Sequence, residues 1–111
     1  MNRTARKIAA LIATLGLAAT AAAHAETPWQ YDHPRRAEVN GRLAAQNYRI
    51  DRDVARGAMP PGAGAYLHRE ERAIHGEERR MAAANGGYIT RSGQHMLNRQ
   101  ENAVGRQIGR Y

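Results

Sequence analysis

Apolar side chains recur at helical spacing in three blocks of the chain. From Pro34 to Arg56, the residues Val39, Leu43, Gln46, Ile50 and Val54 follow three-and-four steps and draw one narrow stripe along a helix. From Tyr66 to Gly87, Leu67, Ile74 and Met81 fall every seven residues on one side, and a helix starting near Pro61 or Gly62 carries them to Asn85. From Thr90 to about Gly109, Leu97, Val104 and Ile108 mark a third. The breaks between blocks have mechanisms. Gly57 stops the first helix and Pro60-Pro61 cannot continue it. Asn85-Gly86-Gly87 caps the second, Tyr88-Ile89 reads as a short extended link, and Thr90 is a good N-cap for the third. The pattern predicts an all-α, three-helix domain over residues 35–111, with the outer helices folded back on the middle one.

The second and third helices are related by a repeat. Leu67-His-Arg-Glu-Glu71-Arg-Ala-Ile74 matches Leu97-Asn-Arg-Gln-Glu101-Asn-Ala-Val104, and Gly57-x-Met59 matches Gly87-x-Ile89. The first helix carries a reduced form, Leu43, Asn47, Ile50. Each helix then has Leu, a polar residue four on, and a β-branched residue three further, which suggests a polar layer of Asn47, Glu71 and Glu101 between apolar layers. The plainer expectation for the glutamates is that they reach past the stripe edge into water. Buried, they need partners, and Arg72 and Asn98 are nearest by helix face. Gly41, Gly76, Gly93 and Gly105 fall inside the helical blocks, each costing roughly 1 kcal/mol relative to Ala. With so few large apolar residues, the domain is expected to be weakly stable alone and to gain from self-association or a partner.

Residues 1–25 read as an export signal. Arg3, Arg6 and Lys7 precede an apolar run from Ile8 to Ala22, and Ala23-His24-Ala25 is a small-x-small cleavage site. The run is shorter than the roughly 20 residues of a membrane span, so cleavage after Ala25 is the expectation rather than an anchor. Residues 26–34, holding the only Trp, read as an extended, Pro-punctuated lead-in that docks on the domain.

Removing the signal changes the charge. The remaining chain has 14 Arg, no Lys and 10 acidic residues, a formal +4 in place of +7. That modest excess, on an exported chain, argues against nucleic acid as a partner. With no Cys there is neither disulfide nor thiol chemistry. The few Ser and Thr have no His-acid pattern beside them, so no catalytic residues and no cofactor are expected.

Three constellations remain. His68, Glu71, His75 and Glu78, at spacings of three, four and three, line one side of a helix and could meet zinc or copper, although exposed charge pairing explains the row as well. Arg35, Arg42, Arg49 and Arg56 recur every seven residues as a basic edge. It is expected to be solvated and supported by Glu38–Arg42 and Arg49–Asp53 pairs, or else to face anionic lipid or polysaccharide. The Gly87-Tyr88-Ile89 step resembles the second half of a calcium-binding loop. Aligned on it, Ala82, Ala84, Gly86 and Gly93 stand where carboxylates are needed, which excludes calcium.

His33-Pro-Arg-Arg-Ala-Glu-Val-Asn40, Glu77-Glu-Arg-Arg-Met-Ala82, Asn85-Gly-Gly-Tyr-Ile-Thr90 and Leu97-Asn-Arg-Gln-Glu-Asn-Ala-Val104 resemble a family of small, uncharacterised, signal-peptide-bearing helical proteins of Gram-negative bacteria. The likeness spans nearly everything from His33 onward. It implies a periplasmic or secreted helical domain and brings no functional residues with it. Relatives carry an acid three residues after the Ile-Thr step where this chain has Gly93, so the capping box is absent there. Ile89-Thr90 is also loosely similar to the helix starts of periplasmic stress chaperones, which read Leu-Thr-x-x-Gln, but Gln94 comes one residue late for that pattern.

The expected function is binding without catalysis, in an envelope-interaction or structural role. An unidentified protein or an anionic envelope component is the partner, and self-association is a further expectation. The alternatives are a stress chaperone and a weak metal-binding or sensor protein.

Overall fold

The computed structural model describes residues 25–111, and the stretch expected to be an export signal lies outside them apart from Ala25. Four helices and no strand are present among the described residues. We label them α1 (Pro28–Asp32), α2 (Pro34–Ala55), α3 (Pro61–Ala84) and α4 (Arg91–Ile108). The three long helices each pack against both others, and α1 rests on α2. The all-α, three-helix expectation therefore holds.

Local chemistry sets the boundaries. Pro34 and Pro61 occupy the first turns of α2 and α3, where the missing N–H costs nothing. Thr90 caps α4 by accepting a hydrogen bond from the Gly93 amide at 3.0 Å. After α2 the chain reverses through Gly57 at φ +77°, and the amides of Ala58 and Met59 both donate to the Asp53 carbonyl. After α3 it reverses through Gly86 and Gly87 at φ +66° and +96°, and the Gly87 amide donates to the Ala82 carbonyl at 2.8 Å. Gly57 and Gly87 are repeat equivalents, and both need the left-handed region that other residues avoid.

Each turn delivers one apolar residue into the core. Met59 and Ile89, the next repeat pair, are 1% and 2% exposed. They close the ends of a core built from Val39, Leu43 and Ile50 of α2, Leu67, Ile74 and Ala82 of α3, and Leu97, Val104 and Ile108 of α4. No aromatic residue joins them. Trp29 and all five Tyr lie on the surface.

The lead-in departs from the extended form expected of it. Thr27 and Gln30 form a capping box, the Gln30 amide donating to Thr27 Oγ1 and the Thr27 amide to Gln30 Oε1, and this closes the single turn of α1. His33 then interrupts the helix, and its ring stacks between Trp29 and Tyr88 with centroids 4.5 Å from each. The Arg36 guanidinium lies 5.1 Å above the indole. The lead-in docks, and it does so on the link between α3 and α4.

Candidate functional site

The centre of the bundle is polar as well as apolar. Glu71, Glu78 and Glu101 are at most 1% exposed. The expectation that Glu71 and Glu101 reach into water is thus overturned. The reason is angular: at 100° per residue, a side chain four after Leu67 and three before Ile74 lies within the stripe, and Glu101 repeats this between Leu97 and Val104.

The three carboxyls are treated differently. Arg36 Nε donates to Glu78 Oε2 at 2.6 Å, its Nη2 reaches Oε1 at 3.4 Å, and its Nη1 donates to the Gly87 carbonyl. One guanidinium thereby ties α2 to α3 and to the following turn. Among the described residues neither oxygen of Glu71 has a hydrogen-bond partner, and the same is true of Glu101. The nearest cation to Glu101 is Arg42, at 3.6 Å, and that side chain donates instead to Asn102 Oδ1. Burial pushes the Glu71 carboxyl up to about 7. Burial also dominates at Glu101, where Glu38 and Glu71 push further up and Arg42 pulls back, giving about 8. Neither Arg72 nor Asn98 supplies the partner expected of it.

The third member of this layer is Gln46 and not Asn47. Gln46 is buried and donates from Nε2 to the Glu101 backbone carbonyl at 2.9 Å. Asn47 sits half-buried at the α2–α3 boundary, where its Oδ1 lies 2.7 Å from His68 Nδ1.

The row His68, Glu71, His75, Glu78 does not gather. Both ring nitrogens of His68 face oxygen acceptors, Asn47 Oδ1 and Asp51 Oδ1, each at 2.7 Å. Glu71 points into the core, Glu78 is held by Arg36, and His75 stands exposed at the rim of a groove of about 220 Å³ between α2 and α3. No three His, Cys, Asp or Glu side chains are clustered for a metal ion among the described residues. Exposed charge pairing does not account for the row either, because Glu71 and Glu78 are among the least exposed side chains of α3.

The basic edge of α2 is only partly free. Arg35 Nη1 reaches the Ile89 carbonyl at 3.4 Å, Arg42 leans on α4, and Arg56 Nη2 lies 3.0 Å from Asp53. The pairs expected within α2 are replaced: Glu38 accepts from Gln94 Nε2 on α4, and Asp53 meets Arg56 in place of Arg49. Arg49 stays exposed. With Arg42 and with Arg106 of α4 it surrounds an open groove of about 570 Å³ floored by Ala45 and Gly105. Among the described residues no carboxylate lines this groove. Arg106 carried no signal in the sequence reading, because only the packing of α4 on α2 brings it to this edge.

No helix among the described residues is long and apolar enough to cross a membrane. A scan against protein-family models and searches of curated proteins and of solved structures gave no match.

Proposed function

We propose that the protein acts by binding an anionic component of the cell envelope in the groove between α2 and α4, and that it performs no catalysis. The observation that carries this reading is the convergence of Arg42, Arg49 and Arg106 on one groove without a carboxylate. Guanidinium groups hold phosphate and carboxylate oxygens through paired N–H donors and lose less solvation than ammonium groups do. The groove is open to solvent, and the small residues Ala45 and Gly105 in its lining let a chain or a lipid headgroup approach the helix backbones. The envelope setting rests on the export signal and on the resemblance of His33–Asn40 and Asn85–Thr90 to exported helical proteins.

The test is co-sedimentation of the chain from Glu26 onward with vesicles rich in phosphatidylglycerol, with neutral phosphatidylcholine vesicles as reference. Binding to the first alone is expected, with Arg49→Gln/Arg106→Gln abolishing it. An acidic polysaccharide tested in parallel distinguishes a phosphate surface from a carboxylate polymer. Binding that survives about 0.5 M NaCl would sink the electrostatic mechanism, since exposed charges are largely screened there.

A further inference from the structure

The groove on the other side of α4 has the opposite character. It lies between α3 and α4, has a volume of about 240 Å³, and is bordered by Glu70 and Glu77 with no basic residue in its lining. Its floor is Ala73 and Ala103 over Ile74 and Val104. These floor residues are repeat equivalents, so the trough runs where the two related helices face one another.

The charges on the two sides are not matched within the molecule. Arg49 and Arg106 form no ion pair among the described residues, and neither do Glu70 and Glu77. Glu77 accepts only a hydrogen bond from Gln100 Nε2 at 3.0 Å. Each groove also has small residues underneath and long side chains at its rim, so the stem of an arginine can lie on alanine while its head meets a carboxylate. A fold that separates unpaired cations and unpaired anions onto adjoining faces is complementary to its own copy.

We propose that copies of this chain associate head to tail, the basic α2–α4 groove of one seated on the acidic α3–α4 groove of the next. Such an interface joins different patches on the two partners, so it leaves one groove of each kind open at the ends and growth continues past the dimer. A polyanion in the basic groove would compete with the neighbouring copy.

Two neutral variants test this without disturbing the core, since all four side chains lie at the surface or its edge. Arg49→Gln/Arg106→Gln removes the basic groove and Glu70→Gln/Glu77→Gln removes the acidic one. Sedimentation velocity at low salt should show wild-type species growing beyond the dimer with concentration. Each variant alone should remain monomeric, with an unchanged circular-dichroism spectrum, and an equimolar mixture should stop at a one-to-one complex. A wild-type chain that is monomeric at about 0.5 mM, or that stops at a dimer, overturns the proposal. So does a variant that assembles like wild type, or a mixture that forms no complex. The Glu70→Gln/Glu77→Gln variant should still bind anionic vesicles, so this inference and the vesicle reading can fail separately.

Discussion

Glu71 and Glu101 hold the same register in two helices thirty residues apart, and their four carboxyl oxygens are buried without a hydrogen bond from any of the described residues. The charge of Glu71 raises the proton affinity of Glu101, so the two are electrostatic neighbours. A pair of ionised carboxylates in this position would cost several kcal/mol each, whereas protonated carboxyls cost far less.

Stability should therefore fall as the solution becomes alkaline. Both carboxyls bind protons more tightly folded, at about 7 and about 8, than at their ordinary 4.5 in the unfolded chain. Between those limits the folded state holds the extra protons. The stabilisation is complete below pH 4.5 and is lost as pH rises through about 7 and then about 8. The slope is about 1.4 kcal/mol per pH unit for each group in its window. Urea midpoints at about pH 5.5 and about pH 8.5 should differ in that direction. A flat or rising profile would contradict the burial.

Neutral isosteres should erase the effect. Glu101→Gln is expected to raise stability at about pH 8.5 by roughly 1–3 kcal/mol and to flatten the pH profile. Glu71→Gln should remove the part of the profile that falls near pH 7 and leave the part due to Glu101. Matched urea titrations of wild type and variants at both pH values give the comparison.

Arg36→Ala should be the most damaging surface truncation. It leaves Glu78 fully buried without the cation that pairs with it among the described residues and frees the Gly87 carbonyl. Removing one partner of a buried pair costs about 3–5 kcal/mol. Thermal melts should show this, and Arg36→Ala/Glu78→Gln should recover part of the loss.

Two glycines should respond in opposite directions to alanine. A Cβ on Gly64 would lie 2.6 Å from Val54 Cγ2, where α3 starts against the end of α2. The branched Val54 side chain has few rotamers with which to retreat, so Gly64→Ala should cost about 1–3 kcal/mol. Gly41 has nothing within 4 Å of such a carbon, and Gly41→Ala should gain about 0.5–1 kcal/mol. Gly64→Ala/Val54→Ala should restore part of the first loss.

What could be read from the sequence was what neighbouring residues decide. Pro34, Pro61, Gly57, Gly87 and Thr90 act within a turn of themselves, and the helix limits follow from them. The stripes of α2, α3 and α4 were likewise legible as core. The direction of Glu71 and Glu101 was legible in their helical angle, but the cost of burying an ionised carboxylate argued for water, and proton uptake removes that objection. Arg36 meeting Glu78, Gln46 displacing Asn47, and Arg106 joining Arg49 depend on which helix lies beside which, and no local spacing carries that. The capping box of Thr27 and Gln30 was present as a motif, yet the surrounding prolines favoured an extended reading.

The stacking of Trp29 on His33, and of His33 on Tyr88, gives the chain an intrinsic reporter. With one indole in the whole molecule, tryptophan emission comes from a single place. Its intensity and wavelength register whether the first helical turn is clasped to the α3–α4 corner or has swung into solvent. Detachment of that clasp can thus be timed in unlabelled protein, ahead of and apart from melting of the three long helices.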